Sequence, residues 1–187
     1  TDEIASGEFL SVAATQAVWQ GRADTLSFDL DVRHPAALNL GGDVVRLPPV
    51  EAAVLAFYAR RRARCGHPAG VRCDECFPRD LDLFPCAAAE ISSTYARCRP
   101  PEDGFDPEAF AKKLEHLQDA APEGVSWINK TRSAINKRLS SLAWKLGLPG
   151  RLIEARKAGS RGDGYGLPFA PSRILLRGLE APAAPGG

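Results

Sequence analysis

The polar and apolar positions of this chain change period several times, and each change predicts an element. TLSFDL, with Leu26, Phe28 and Leu30 set against polar neighbours, has the two-residue period of a half-buried strand. ALNLGGDVVRLP places Leu38, Leu40, Val44, Val45 and Leu47 around Gly41-Gly42-Asp43, which predicts a β-hairpin turning on glycines. From Pro49 the period lengthens. Val50, Val54, Leu55, Phe57 and Tyr58 make one apolar side of a helix that begins with a proline, carries Glu51 in its first turn and ends in Arg60, Arg61, Arg62 and Arg64. That arginine run suits a capped, solvated helix end.

Residues 65–85 are rich in Gly, Pro and Asp and predict a loop. CAAAEISSTYARC and DPEAFAKKLEHLQDA follow as helices, the second capped by Asp106 with Phe110, Leu114 and Leu117 on one face. Both are expected to pack on the helix that starts at Pro49. SWINKTRSAINKRLSSLAWKLG, residues 126–147, is the longest helical pattern. At about 100° per residue, Ile128, Ile135, Leu139, Leu142 and Leu146 share an arc opposite Lys130, Ser133, Lys137, Ser141 and Trp144, and Gly147 supplies the C-cap. RLIEARKAGSRGDGYGLPF then predicts a strand at 152–155, a glycine-rich turn and a second strand near Tyr165, with a short strand at 173–176 after it.

This order predicts an α+β winged helix-turn-helix preceded by a β-hairpin. Residues 1–25 form an N-terminal helical segment resting on EFLSVAATQAVW. Residues 26–177 form the domain, with an insertion at about 65–124, and residues 178–187 a disordered tail.

Composition narrows the class. At 187 residues and 44% hydrophobic, the chain can bury a full core. It has no apolar run of about 18 residues and no secretory leader pattern, so the expectation is a cytoplasmic protein without a membrane partner. It contains no Met, even at position 1, and is expected to be part of a longer protein. The net charge of +1 hides an asymmetry: residues 126–187 carry 11 Lys+Arg against 3 Asp+Glu, and residues 1–125 carry 13 against 20. A basic C-terminal third can serve a phosphate-binding surface or attract the acidic remainder of the chain.

In a winged helix the last helix before the hairpin enters the major groove and the hairpin straddles the backbone. Asn129, Lys130, Arg132, Ser133, Asn136 and Lys137 would then face nucleic acid, with Arg156, Lys157 and Arg161 on phosphates. The same helix serves equally as a protein-contact face, and an exposed Trp144 suits either partner. Cys65, His67, Cys73 and Cys76 form C-x-H followed by C-x-x-C, four ligands of the kind tetrahedral zinc takes, with Cys86 or Cys98 as substitutes. Reduced, unliganded thiols and disulfides are the alternatives. His34, His67 and His116 join no nucleophile–base motif, and no catalytic constellation is present. Asp74, Glu75, Asp80 and Asp82 fit a solvated loop.

LNLGGDVVRLPPVEAAVLAFYARRRARCG, WINKTRSAINKRLSSLAWKLG and RLIEARKAGSRGDGYGLPFAPSRI together resemble the C-terminal region of a family of CRISPR-associated proteins. The similarity runs with gaps over roughly residues 3–177, and is most specific in LPPVE and NKTRSAINKRL. Members carry an N-terminal Rossmann-like domain related to the cyclic-oligoadenylate-sensing and ring-nuclease domains of type III systems. The resemblance implies an antiviral-defence module that binds nucleic acid or holds subunits together, partnered by that sensor domain of the same protein and expected as a homodimer. It brings no catalytic residues, so any ring-nuclease activity would belong to the other domain. LPPVE and GYGL also resemble, more loosely, the winged-helix output domains of two-component response regulators. The insertion at 65–124 departs from that pattern. A transcriptional regulator's output domain and a zinc-stabilised protein-interaction module are the alternative functions.

Overall fold

A computed structural model describes residues 21–67, 73–79, 86–101, 104–119, 123–157 and 163–179. Of the expected N-terminal helical segment, residues 21–25 are helical and 1–20 lie outside the described residues; so do 180–187 of the expected tail.

Strands β1 (Phe28–Asp31), β2 (Ala37–Leu40) and β3 (Asp43–Arg46) form an antiparallel meander. The predicted hairpin turns at Gly41 and Gly42, whose φ angles of +60° and +95° only glycine adopts without strain, and Asn39 Oδ1 accepts the Gly42 N–H at 3.1 Å. Phe28, Leu30, Leu38 and Leu40 point into the core, while Asp29, Asn39 and Val44 line the outer face.

Helix α1 (Pro49–Ala63) is the centre of the molecule rather than a one-sided surface helix. Ala52 through Ala59 are buried without a break, and Val50, expected in the core, is half-buried. A helix buried all round needs partners on every side. It has α2 (Cys86–Cys98) on one flank and α4 (Glu123–Lys145) on another, with the C-terminal strands beyond. Helix α3 (Pro107–Asp119) packs between α2 and α4, not chiefly on α1 as its sequence suggested. Asp106 Oδ1 caps α3, accepting the Glu108 and Ala109 N–H groups at 2.8 and 3.1 Å. Ala87, Ala88, Ile91 and Leu114 join the main core, so the stretch at 65–124 builds the domain instead of decorating it.

The arginine run of α1 is likewise not a solvated end. Arg60 pairs with Glu90 of α2 at 2.9 Å, Arg61 lies over the Phe57 ring at 4.5 Å, and Arg62 is buried. Glu51 at the other end is buried and takes a bidentate ion pair from Arg138 of α4, at 2.7 and 3.1 Å.

Helix α4 keeps the face assignment read from its periodicity. Ile128, Ile135, Leu139 and Leu142 are buried, and Lys130, Ser133, Lys137, Ser141 and Trp144 are exposed. After it, β4 (Glu154–Lys157) and β5 (Asp163–Gly166) form an antiparallel hairpin. A 3-10 turn (Pro171–Arg173) leads into β6 (Ile174–Arg177), which returns to the first sheet and pairs in parallel with β1, Phe28 opposite Ile174 and Leu30 opposite Leu176. The sheet order is therefore β3-β2-β1-β6, and the domain is a mixed α+β fold. Among the described residues, no helix is long and apolar enough to cross a membrane.

Candidate functional site

Two constellations carry chemistry, and they meet at the β4–β5 hairpin. The first lies at the C-terminal end of α1. Cys65 follows that helix directly, and Cys73 and Cys76 stand at the two ends of a tight turn closed by the Phe77 N–H on the Cys73 carbonyl at 3.0 Å. Folding brings the Cys65, Cys73 and Cys76 sulfurs within 4.8 Å of one another, a group that could hold a metal ion. The Cys65 and Cys73 sulfurs are 3.6 Å apart and those of Cys73 and Cys76 3.2 Å; His67 Nδ1 stands 3.4 Å from the Cys65 sulfur, but His67 is exposed and lies outside the group of three. All three, and Cys98, are free thiols in this structure. Cys98 is buried on α2 and takes no part in the group; the Cys86 side chain lies outside what is described.

The two thiols of the turn differ in their electrostatics. Burial alone would push the Cys73 thiol up, but hydrogen bonds with the Cys76 thiol and backbone N–H and with Cys65 outweigh it and bring it down to about 7. Cys76 behaves oppositely, pushed up to about 11 by burial and by its hydrogen bond with Cys73. Arg62, only 1% exposed, reaches the cluster from α1, its Nη1 3.4 Å from the Cys76 sulfur and 3.8 Å from that of Cys65. Its Nε donates to the Phe169 carbonyl at 2.8 Å, so the guanidinium joins the thiols to the segment after β5.

The second constellation is the exposed side of α4 and the hairpin beside it, with a cleft of about 410 Å³ between them. Ser133, Lys137 and Ser140 of α4 line one wall, and Arg151, Ala155 and Tyr165 the other. Its floor is made by residues that the sequence reading had aimed outward. Arg132 is buried, donates to the Tyr58 hydroxyl at 3.1 Å, and stacks its guanidinium 3.5 Å above the Tyr165 ring. It also bonds Asn129 Oδ1, so Asn129 is exposed with its oxygen already engaged. Asn136 accepts the Leu152 and Ile153 N–H groups at 3.0 and 2.8 Å and donates to the Ile153 carbonyl at 3.0 Å. Arg132 and Asn136 are thus brackets between helix and hairpin, with the polar atoms named engaged by the protein.

Of the predicted contact residues, Lys130, Ser133 and Lys137 are exposed on one side of α4. Arg156 and Lys157 lie on β4, whose backbone alone is described for them, and Arg161 falls outside the described residues. Arg62, Arg151 and Tyr165 escaped the sequence reading. Arg62 sits in a run of four arginines that differ only in which turn of the helix faces inward, and Arg151 and Tyr165 are brought to α4 by long-range packing. Trp144 is 63% exposed, and its indole rests against Gly150, where a Cβ would stand 2.7 Å from Nε1.

Comparison of the chain with protein-family models, with curated proteins and with solved structures finds no match.

Proposed function

We propose that this chain is a winged-helix module that binds nucleic acid through the exposed face of α4 and the β4–β5 hairpin. It would act in the cytoplasm as part of a CRISPR-associated antiviral-defence protein of the kind its sequence resembles. The observation that carries this reading is the three-bond bracket of Asn136, which holds the hairpin beside α4 while leaving Lys130, Ser133 and Lys137 exposed. Helix and hairpin then offer one preorganised basic surface in the most basic part of the chain. Lys130, Lys137 and Arg151 would neutralise phosphates, with Ser133 donating to backbone oxygens. The two arginine- and asparagine-based brackets do not reach bases, so affinity is expected to depend little on sequence.

The test is fluorescence anisotropy with a labelled duplex over a salt series. Lys130→Glu with Lys137→Glu should lower affinity and reduce the slope of log K against log salt by about 1.8, since each phosphate neutralised contributes about 0.9. Absence of duplex binding at low salt defeats the proposal.

The metal is proposed to be a structural zinc held by Cys65, His67, Cys73 and Cys76. A tetrahedron with Zn–S of about 2.3 Å and Zn–N of about 2.0–2.1 Å has S···S edges of about 3.7 Å and S···N edges of about 3.6 Å. The 3.6 Å and 3.4 Å separations at Cys65 fit these edges, the 3.2 Å Cys73–Cys76 separation would widen slightly on binding, and exposed His67, outside the group of three thiols, would swing in as the fourth ligand. Elemental analysis should find one zinc per chain, lost on Cys73→Ser with Cys76→Ser; a metal-free protein of unchanged stability rejects it.

A second reading rests on Trp144, a large apolar surface at 63% exposure. It would seat a second copy of the chain or the sensor domain. Sedimentation of wild type and Trp144→Ala over a concentration range tests it, and a monomer throughout defeats it.

A further inference from the structure

The cysteine turn and the hairpin are one mechanical unit. Immediately after Cys76 the chain runs beneath β5: the Tyr165 N–H donates to the Pro78 carbonyl at 3.0 Å, and Arg79 forms an antiparallel bridge with Gly164. The fit leaves no space for side chains. A Cβ on Gly164 would overlap the Phe77 carbonyl oxygen, and one on Gly166 would stand 2.5 Å from the Cys76 carbonyl oxygen and 2.9 Å from the Phe77 ring. Cys76 and Phe77 are buried under this contact. From the other side, buried Arg62 links the Cys76 sulfur to the Phe169 carbonyl, just beyond β5. β5 therefore lies against residues 76–79, which begin at a cluster cysteine, and the segment after it is held by Arg62, which reaches the Cys76 sulfur.

We propose that a metal ion at this cluster clamps the β4–β5 hairpin into place, so that metal occupancy sets whether the hairpin half of the basic surface is presented. The inference rests on the metal reading given above. The cation would hold Cys73 and Cys76 at a fixed separation from Cys65, and so fix the path of residues 76–79 relative to α1. That path is the only strand partner of β5 on its side away from β4 among the described residues. Without the metal, the short turn has three thiols in place of covalent ligation, and the β5 edge loses a rigid neighbour. Because the two events share one free energy, hairpin docking must strengthen metal binding by the same factor that metal strengthens docking.

The experiment uses the full chain and Zn²⁺ as probe. Hydrogen exchange by mass spectrometry is compared between zinc-loaded and chelator-stripped protein, with α3 as an internal reference remote from the clamp. Peptides covering residues 163–167 should exchange about tenfold faster without zinc, while α3 is unchanged. Zinc bound at one per chain with no change in the 163–167 peptides overturns the clamp and leaves the metal reading standing. A chain that takes up no zinc removes both. Gly164→Ala supplies the reciprocal measurement, since its Cβ would push the hairpin off Phe77 and meets no ligand residue. Chelator competition should show zinc affinity weakened about tenfold. Unaltered affinity in a folded Gly164→Ala protein also overturns the clamp, and the wild-type exchange comparison decides the matter should that variant fail to fold.

Discussion

Asn136→Ala separates a bracket from a base reader. The side chain makes three hydrogen bonds to backbone at Leu152 and Ile153, at 2.8 to 3.0 Å, and both of those residues are buried. Truncation deletes all three bonds at once and leaves two N–H groups and one carbonyl without a partner. Each net hydrogen bond contributes about 1 kcal/mol, and stranding a buried group costs about 1–3 kcal/mol. Asn136 itself is half-buried, so water can reach part of the gap, and the low end of the range applies. The expected loss is about 3 kcal/mol, which for a chain of this size lowers Tm by roughly 6–12 °C. Urea unfolding followed by circular dichroism should show a lower midpoint at unchanged m-value. Asn136→Asp keeps the oxygen that accepts both N–H groups but turns the donor into a carboxylate oxygen facing the Ile153 carbonyl, so it should also destabilise. If Asn136→Ala shifts stability by less than about 0.5 kcal/mol while weakening duplex binding, the side chain reads nucleic acid and the bracket argument fails.

Arg138→Ala should cost about 2 kcal/mol by stranding Glu51, whose carboxylate is buried at the start of α1. The cost stays below that of a fully buried pair because the Arg138 side chain is 42% exposed; Glu51→Gln, which removes the stranded charge, should cost less, and equal costs in urea titrations would contradict this account. In metal-free protein, alkylation of Cys73 by iodoacetamide should reach half its maximal rate near pH 7, with Cys76 and Cys98 slow until about pH 11 and 12. The folded state lowers Cys73 from its ordinary 9.0, so this group's contribution to stability is present above pH 9 and is lost as pH falls through about 7. Peptide mapping that finds all three thiols rising together above pH 8.5 would contradict the hydrogen-bonded geometry.

Periodicity carried much of the fold, because strand and helix periods are local properties of the chain. The Gly41-Gly42 hairpin, the proline start of α1, the Asp106 cap of α3 and the buried arc of α4 all stand where the pattern put them. The grouping of Cys73 and Cys76, which with Cys65 could hold a metal ion, was legible for the same reason, since C-x-x-C forces two thiols into one turn; His67, expected with them, stays outside the group. What failed were judgements about which polar groups face water. Arg132 and Asn136 lie on α4 at the margin of the exposed arc, a turn or less from Lys130 and Lys137, and only the arrival of Tyr165 and Ile153 turns them inward. Arg62 is indistinguishable in sequence from Arg61 and Arg64, yet packing makes it a buried link between thiols and hairpin.

The sequence by itself determined the order of elements, the apolar arc of the long helix and the pairing of thiols in one turn, because these depend on residues a few positions apart. The tertiary structure alone decided that β6 returns in parallel to β1, that α1 is central, and that residues 76–79 lie beneath β5. Those contacts join segments far apart in the chain, where the energy is set by shape and by which polar atoms find partners. No local pattern records either.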